Sequence, residues 1–297
     1  MPVVDVCLCT HQPRRDVLAT VIDALARQSL DARAFAVTVV DNASAPAVGA
    51  GELAALARAG IAHRIVREAI LGNAYARARA IRETTAPILV FVDDDNELAA
   101  DYLERALAIL DEDRQLGCIG GKLLRARDLV LPTWFEPLRM FVGVRDDLGD
   151  TPLRAPAAGW SRAMPPTAGM AVRREVAALY LEFEAQLGGI GRRGSHWLGS
   201  CEDILLARQA HRLGLECGYF PELALVHHVD RTRLRFDYLL RFFFAQGLSE
   251  ARVDAILGGA GPGRTLGERW RASRIPRDPR AIACLAAREA GRFAGLA

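Results

Sequence analysis

Several signatures that would assign a chain to other protein classes are missing from this 297-residue sequence. No apolar run approaches the ~18 residues that a membrane-spanning helix needs. The six cysteines form no CxxC pair and no zinc-type spacing, which argues against a zinc site and a disulfide framework. No GxGxxG loop follows the first strand-like segment, which argues against a dinucleotide-dependent dehydrogenase. We therefore expect reduced cysteines in a chain whose function is carried by other residue types.

A large excess of either charge is also missing, since the formal net charge is +2. This balance gives no support for nucleic-acid binding. Hydrophobic residues make up 51% and charged residues 25%, as in an ordinary soluble globular protein. The N-terminus has no basic segment, and Asp5 interrupts its first apolar stretch. No signal peptide is therefore predicted, and we expect a cytoplasmic protein.

Strand-like apolar runs alternate with helix-like patterns through the first third of the chain. This alternation, with short connections, predicts an α/β fold in which helices flank a mostly parallel sheet. Regularity is lost at residues 122–166, where six prolines accompany Trp134 and Trp160. A helix is predicted to begin near Glu202 and to end at Gly214, and a helical extension to begin at residue 236. The strand-like runs are residues 3–9, 35–40, 62–66 and 88–92, and the helix-like patterns are residues 18–25, 75–83 and 98–110.

Three consecutive carboxylates, Asp93, Asp94 and Asp95, follow the apolar run at residues 88–92. Acids at the end of a buried parallel strand lie at the carboxyl edge of the sheet, where open α/β folds bind their ligands. Adjacent carboxylates repel one another unless a cation or ligand neutralises them. A divalent ion shared with a diphosphate would do so, because hard cations prefer oxygen ligands. A solvated acidic turn before a helix is the alternative, and it stays open.

A second acidic pair, Glu202 and Asp203, begins the predicted helix. Asp203 shares one helical stripe with the apolar Leu206, Ala207 and Ala210, where an acid is costly without a role. The helix dipole favours the ionised carboxylate in this first turn, so it could accept a proton. A plain N-terminal acid that stabilises the helix is the alternative.

Two further segments carry side chains suited to ligands. His227 and His228 end a strand-like run, where an imidazole could complete a metal site or bond a neighbouring backbone group. Arg192 and Arg193 lie between glycines, where their guanidinium groups could bind phosphate oxygens or face water. The residue types alone leave these alternatives open.

Taken together, these segments resemble family 2 glycosyltransferases of the GT-A fold, from about residue 3 to residue 250. Residues 92–96 match the Asp-X-Asp metal signature of that family, and residues 198–203 resemble its Gly-Glu-Asp motif. Three positions depart from the pattern, because Ala78 and Gly169 stand where Asn is usual and Cys201 stands where Gly is usual. The other segments that carry the resemblance are residues 4–11, 39–44, 72–77, 168–174, 226–229, Arg233 and residues 246–249.

The resemblance implies a division of the chain. Its nucleotide-binding half would be residues 1–100 and its acceptor half residues 101–235, with the irregular insertion at residues 122–166. Together these halves would form a catalytic domain over residues 1–235, followed by a helical extension over residues 236–297.

The resemblance also implies an inverting transfer of a sugar from a nucleoside diphosphate sugar, with UDP favoured, to a saccharide or lipid-linked acceptor. The implied cofactor is Mg²⁺ or Mn²⁺, and Asp203 is the implied general base. The implied nucleotide contacts are Thr10, His11, Asp41, Arg77, Asp93 and Asp94. The implied metal ligands are Asp95, Asp93 and His227, with His228 as the second choice. The implied acceptor or phosphate contacts are Glu202, Gly169, Met170, Arg192, Arg193 and Trp197.

Other functions remain to be weighed against this one. A sugar-nucleotide pyrophosphorylase would carry a glycine-rich basic loop after its first strand, whereas residues 10–15 contain no glycine. A catalytically inactive nucleotide-sugar-binding or scaffold protein is the main alternative, because of the three departures from the family pattern. It is disfavoured because Asp95 and Asp203 are both present.

The C-terminal segment mixes aromatic and basic residues, which leaves two interpretations of its role. A basic amphipathic segment can dock on anionic lipid, which would place the enzyme peripherally on the inner face of the membrane and suit a lipid-linked acceptor. Alternatively, the phenylalanines pack on the catalytic domain, which we favour for them, and the arginines face water. The residues concerned are Phe242, Phe243, Phe244, Trp270, Arg271, Arg274 and Arg277.

Overall fold

The computed structural model describes residues 1–156, 161–194, 197–258 and 278–296. Short 3₁₀ helices occupy Ala50–Leu53, Glu136–Val142, Leu181–Gly189 and Arg231–Leu234. The strands are β1 (Val4–Thr10), β2 (Phe35–Asn42), β3 (Ala62–Glu68), β4 (Ile88–Asp93), β5 (Asn96–Leu98), β6 (Leu116–Arg125), β7 (Leu153–Ala155), β8 (Ala171–Arg173), β9 (Arg192–Arg193), β10 (Trp197–Leu198) and β11 (Glu216–His227). The helices are α1 (Arg15–Ala26), α2 (Ala54–Arg58), α3 (Asn73–Glu83), α4 (Tyr102–Glu112), α5 (Arg174–Tyr180), α6 (Glu202–Arg212), α7 (Phe236–Ile256) and α8 (Pro279–Leu296).

Among the described residues, nine strands form one sheet in the order β3-β2-β1-β4-β8-β6-β11-β5, and β7 pairs with β11. Strands β3, β2, β1 and β4 pair in parallel, as do β6 and β11. Strand β8 lies antiparallel between β4 and β6. Strands β9 and β10 form a separate antiparallel hairpin. The predicted α/β fold with a mostly parallel sheet is confirmed.

The register of the central strands brings their polar ends to one level. Thr10 is paired with Asp41 across β1 and β2, and Cys9 is paired with Asp93 across β1 and β4. Because parallel strands share a direction, these carboxyl ends form one edge of the sheet. The edge that the sequence predicted as a ligand site therefore exists as a continuous row of polar residues.

Both faces of the sheet are covered, as the continuous apolar strands require. Side chains of β1 alternate between faces, so that Val6 and Leu8 join one apolar cluster and Cys7 and Cys9 join the other. The first cluster includes buried side chains of α1, α2 and α4, and the second includes those of α3, α5 and α6. The helices thus form two layers that enclose the sheet.

A third apolar cluster joins the C-terminal helices to the middle of the chain. Phe135 and Val142 from the insertion pack with Phe242 and Phe243 of α7 and with Cys284 of α8. The predicted packing of the phenylalanine run therefore holds for these two side chains. Phe244, in contrast, is 41% exposed. The division at residue 235 stays a prediction, although α7 begins at Phe236.

Some local predictions need correction. Leu98 belongs to β5 rather than to the following helix, which begins at Tyr102. The insertion is less irregular than expected, because β6 continues to Arg125 and both a 3₁₀ helix and β7 lie within it. Trp160 and the basic segment with Trp270, Arg271, Arg274 and Arg277 lie outside the described residues.

A buried carboxylate ties the two C-terminal helices together. Glu250 of α7 accepts hydrogen bonds from Arg288 (2.6 Å) and Arg292 (2.9 Å) of α8. Its side chain is 10% exposed. Burial alone would raise the pKa of Glu250, but the charges and hydrogen bonds of the two arginines lower it below its ordinary value. The ion pair is therefore stronger in the folded chain than a surface pair would be.

We predict that Glu250→Gln destabilises the protein by about 3 kcal/mol, because two largely buried guanidinium groups lose their counter-charge. A surface control, Asp111→Asn, breaks an exposed pair with Arg114 and should change stability by less than about 0.5 kcal/mol. Urea unfolding measures both variants. Since the pKa of Glu250 is lowered by folding, its contribution is present at neutral pH and is lost as the pH falls through the lowered pKa. Equal unfolding midpoints for Glu250→Gln and wild type at pH 7 would contradict the prediction.

Candidate active site

The carboxyl edge of the sheet holds the first group of predicted site residues. The hydroxyl of Thr10 donates to Oδ2 of Asp94, and Nδ1 of His11 lies 2.7 Å from the carbonyl oxygen of Asn42. Burial, followed by the neighbouring charge of Asp95, raises the pKa of Asp94 to about 7. Thr10 and Asp94 are therefore joined directly, and Asp94 is less readily ionised than Asp95.

Asp41 lies at the end of β2, but its side chain turns into the protein and not toward the open edge. Its side chain is fully buried, and Oδ1 accepts a hydrogen bond from the amide of Ser44 at 3.1 Å. Oδ2 accepts from the amide of Val48 at 3.0 Å and from Arg67 at 2.6 Å. Both oxygens are thus used within the chain, which places Asp41 as a brace for the loop after β2. The predicted direct contact with a nucleotide base does not fit this arrangement.

Asp95 faces His227 on the far side of the triplet. Nε2 of His227 lies 3.3 Å from Oδ2 of Asp95, and Nδ1 lies 2.9 Å from the carbonyl oxygen of Gly143. Because a carbonyl oxygen can only accept, Nδ1 carries the proton and Nε2 is directed at the carboxylate. Gly143 has φ 73°, and a Cβ there would lie 2.6 Å from the imidazole, so glycine permits this close approach.

Two basic side chains lie beside the Asp95 carboxylate. Burial alone would raise the pKa of Asp95, but His227 and Arg233 lower it well below its ordinary value. Nη1 of Arg233 lies 3.7 Å from Oδ2 of Asp95, and Asn96 donates to Oδ1 at 3.0 Å. His228 instead places Nε2 2.8 Å from Glu97, so of the two histidines only His227 faces the triplet.

The predicted set of three metal ligands is not assembled around one point. Within the described ranges, no group of three or more His, Cys, Asp and Glu side chains is arranged to hold an ion. Asp93 turns to Arg77, whereas Asp95 turns to His227. The pair that remains, a carboxylate oxygen facing an imidazole nitrogen, suits an ion that takes its other ligands from phosphate oxygens and water, as Mg²⁺ commonly does. In this reduced form the donor set fits Mg²⁺ or Mn²⁺.

Arg77 joins the two acidic clusters of the sequence. Its guanidinium lies 3.0 Å from Asp93 through Nη2 and 3.0 Å from Glu202 through Nη1, and its side chain is only 3% exposed. Burial raises the pKa of Glu202 to about 7, although the charge of Arg77 opposes this. Asp93 and Glu202 are 109 positions apart in the chain, and one buried cation holds them at the same site.

Asn73 connects this site to the β9–β10 hairpin. Its Nδ2 donates to Glu202 at 2.7 Å, and its Oδ1 accepts from the amide of Arg192 at 2.7 Å. Gly191 precedes the hairpin with φ 75°, and a Cβ there would lie 2.4 Å from Oδ1 of Asn73. Glycine therefore allows the hairpin to lie directly against the first turn of α3.

Asp203 lies beside Glu202 in the first turn of α6. Its Oδ1 accepts a hydrogen bond from the amide of Ile204 at 2.8 Å. Burial raises the pKa of Asp203, and the Ile204 amide and the charges of Arg77 and Arg145 oppose this shift. Asp203 is therefore within electrostatic reach of the same arginine that binds Asp93, and its raised pKa makes it a stronger base than an ordinary aspartate.

Several guanidinium nitrogens around the site have no partner. Among the described residues, Nε of Arg192, Arg193 and Arg233 is buried without a hydrogen bond. Burial, together with the nearby charge of Arg233, lowers the pKa of Arg192. Buried donors of this kind are costly unless an acceptor binds to them. Oxygen atoms of an anionic ligand such as a phosphate would supply those acceptors.

The remaining predicted contacts for acceptor or phosphate are Met170, Gly169 and Trp197, and the first two are buried in the fold. Met170 is fully buried, and its carbonyl accepts from the amide of Phe91, so it connects β8 to β4. Gly169 packs against Tyr102, whose hydroxyl donates to the Gly169 carbonyl at 2.5 Å. Neither presents a side chain to a ligand, which corrects the prediction that they contact acceptor or phosphate. Trp197 lies on β10 opposite Arg193, and Arg252 lies 5.5 Å over its ring.

Sequence reasoning gave no role to three residues that the structure places at the site. Asn73 is the bridge described above, Arg233 approaches Asp95, and Arg145 acts on the pKa of Asp203. Asn73 and Arg233 belong to segments that carry the family resemblance, which was their only signal. Arg145 lies in the irregular region, where no pattern pointed to it.

The sequence of this chain matches the model of the family described as glycosyl transferase family 2 over residues 5–178, more than half of its length. The chain belongs to glycosyl transferase family 2. Membership of this family confirms the predicted recognition and the predicted enzyme class, a glycosyltransferase. Asp203 lies beyond the matched residues, so its role depends on geometry. No curated protein sequence matches this glycosyltransferase.

Solved structures share the fold of this glycosyltransferase at low identity. A mannosyltransferase from Pyrobaculum calidifontis, in complex with GDP-Man and Mn²⁺, is 20% identical with a TM-score of 0.56. The match covers 99% of this chain and 72% of that one. TarS of S. aureus, residues 1–349 in complex with UDP, is 16% identical with a TM-score of 0.52, over 99% of this chain and 89% of that one. Another TarS structure is matched over 54% of its length, so this chain spans about half of it.

None of the helices in the described part of the glycosyltransferase combines the length and apolar character needed to cross a bilayer.

We predict that Arg77→Met lowers stability by about 3–5 kcal/mol, because it leaves Asp93 and Glu202 without their shared counter-charge. Arg79→Met on the same helix is the matched control. Arg79 is 40% exposed and pairs with Glu83, so its loss should cost about 0–1 kcal/mol. Chemical denaturation at pH 7 measures both. Equal losses for the two variants would show that Arg77 does not hold the acidic clusters together.

Proposed function

We propose that the protein transfers a sugar from a nucleoside diphosphate sugar to an acceptor hydroxyl, with inversion at the anomeric carbon. One observation carries this proposal: the Arg77 guanidinium that binds Asp93 also binds Glu202, the neighbour of Asp203. A nucleotide sugar bound at Asp93–Asp95 would therefore place its sugar between this acidic triplet and the general base at the start of α6.

In this proposal the donor diphosphate binds at the carboxyl edge of the sheet. Thr10 and His11 border the nucleotide, Asp41 shapes the loop after β2, and Arg192 and Arg193 bind phosphate oxygens through their unpartnered nitrogens. Asp95 and His227 would hold Mg²⁺ or Mn²⁺, which supplies positive charge to the leaving diphosphate. Arg77 pairs with Asp93 and Glu202, and Arg233 helps to lower the pKa of Asp95.

Asp203 acts as the general base. It removes the proton from the acceptor hydroxyl as that oxygen attacks the anomeric carbon on the face opposite the leaving group. A single displacement of this kind needs no covalent intermediate, and it inverts the configuration. Glu202, with a pKa near 7 and a hydrogen bond to Asn73, holds Asp203 in place beside Arg77.

The nucleobase of the donor and the acceptor are proposed by chemical class. The mannosyltransferase complex contains GDP-Man and the TarS complex contains UDP, so a nucleoside diphosphate is the shared chemistry. We favour UDP-sugars, and a thermal-shift screen with UDP-, GDP-, dTDP- and CMP-sugars identifies the base. A saccharide or lipid-linked acceptor is supported by an open, mostly apolar groove of about 390 Å³ beside the hairpin. The groove is lined by Trp197, Leu198, Leu240, Arg241, Phe244 and Ala245.

We predict that Asp203→Asn slows transfer by about 10²–10⁴-fold while nucleotide affinity is unchanged, because only the base is lost. Release of nucleoside diphosphate measures transfer, and calorimetry measures affinity. The control is Glu182→Gln, which should retain full activity. Glu182 is a half-exposed carboxylate of the 3₁₀ helix Leu181–Gly189, and it pairs with Arg212 of α6, the helix that carries Asp203.

The pH profile gives a second readout for Asp203. A base is active only when ionised, so wild-type kcat/KM should fall as the pH drops through the raised pKa of Asp203. This acid limb should lie above the ordinary aspartate pKa of about 4, and it should be absent in Asp203→Asn. Wild-type turnover in that variant would refute the assignment.

We predict that Asp95→Ala weakens nucleotide binding at least about 10-fold in the presence of Mg²⁺ or Mn²⁺, because the ion loses its carboxylate ligand. Calorimetric titration of wild type with the preferred nucleoside diphosphate should show a similar loss when EDTA replaces the metal. The variant should then respond little to EDTA. Undiminished metal-dependent affinity in Asp95→Ala would exclude this carboxylate as a ligand.

A further inference from the structure

The turn that begins α6 has an unusual backbone. Cys201 immediately precedes the helix with φ 75°, in the left-handed region, although it carries a side chain. Only a few per cent of non-glycine residues adopt such a conformation, and it persists where surrounding contacts enforce it. The Cys201 side chain is fully buried, and its carbonyl accepts from the amide of Leu205 at 3.0 Å. The direction in which α6 starts therefore depends on this residue.

The contacts that enforce the turn come from α7. The hydroxyl of Ser249 accepts from the amide of Ser200 at 3.2 Å. The side-chain oxygen of Gln246 accepts from the hydroxyl of Ser200, and its Nε2 donates to the sulfur of Cys201 at 3.2 Å. Gln246 thus bonds both residues of the turn at once, and it is only 8% exposed.

The side chain of Gln246 is itself positioned by Glu250. Its Nε2 lies 3.3 Å from Oε1 of Glu250, one turn along α7. Glu250 in turn binds Arg288 and Arg292 of α8. A continuous series of bonds therefore runs from α8 through α7 to Cys201, the residue immediately before α6.

We propose that Gln246 is a positioning residue for the transfer reaction, which acts by fixing the turn at Ser200 and Cys201 so that Glu202 and Asp203 are presented beside Arg77. The proposal rests on the proposed function of Asp203. It extends the machinery of the enzyme to the C-terminal helices, which lie beyond the residues that match the family. Without Gln246, the strained turn would lose two of its bonds, and α6 could begin in another direction.

The test replaces Gln246 by leucine, which keeps the size of the side chain and removes both polar contacts. We expect kcat to fall by about 10- to 100-fold, since small displacements of a catalytic group have effects of this size. Nucleotide affinity should stay within about twofold, because the side chain of Gln246 bonds Ser200, Cys201 and Glu250, which we do not place among the nucleotide contacts. The acid limb of the pH profile should also move, because the surroundings of Asp203 change.

Amide hydrogen exchange provides a readout that does not depend on activity. Exchange in peptides covering residues 199–205 should increase in Gln246→Leu. The matched control is Gln28→Leu, which removes a partly buried glutamine whose side chain bonds the carbonyls of Ala24 and Ala99 in the other helix layer, and it should leave exchange at residues 199–205 and the pH profile unchanged. Ser200→Ala, a milder change, should shift kcat and exchange in the same direction if Gln246→Leu folds poorly.

The outcomes separate this proposal from the proposed function. Wild-type exchange at residues 199–205 in both Gln246→Leu and Ser200→Ala would overturn the role of Gln246, whatever the activity. Faster exchange with unchanged kcat and an unchanged pH profile would also overturn it, because Gln246 would then be only structural. A wild-type enzyme that releases no nucleoside diphosphate from any donor would instead refute the proposed function and, with it, the catalytic part of this inference.

Discussion

The buried guanidinium of Arg77 is the interaction on which the rest of the site depends. Asp93 ends a central strand and Glu202 begins a helix that packs on the sheet, and the Glu202 carboxylate, which is only 6% exposed, would be costly to bury alone. One cation between them makes the burial tolerable and sets the distance between the strand edge and the helix. The site is therefore a consequence of charge neutralisation at a place where two layers of the fold meet.

Electrostatics divides the acids of the site into two kinds. Asp95, facing His227 and Arg233, is held ionised, whereas Asp94, Glu202 and Asp203 have pKa values raised by burial. A permanently charged carboxylate suits cation binding, and a carboxylate with a raised pKa suits proton transfer. The same residue type thus serves two purposes, and the difference comes from the neighbouring arginines and the depth of burial.

Much of the fold could be predicted from the sequence, because β-branched runs and amphipathic repeats report directly on burial. The clustering of polar residues at strand ends could also be predicted, since parallel strands share their carboxyl edge. The direction of individual side chains could not. Asp41 and Met170 stand in the expected segments but turn into the protein, and the local pattern is the same for either orientation. The bridge made by Asn73 and the approach of Arg145 depend on long-range packing, which no local spacing encodes.

The contact between Gly143 and His227 has a consequence for how this enzyme could diverge. Within the described residues 126–152 the chain forms a single 3₁₀ helix, Glu136–Val142, and such loop segments usually tolerate change. In this segment the carbonyl oxygen of Gly143 contacts Nδ1 of His227, the imidazole beside Asp95. A side chain at residue 143 would collide with that ring. Glycine is therefore required at residue 143, and its neighbours Val142 and Val144 are buried, so that variation in this segment is confined to exposed positions such as Val130.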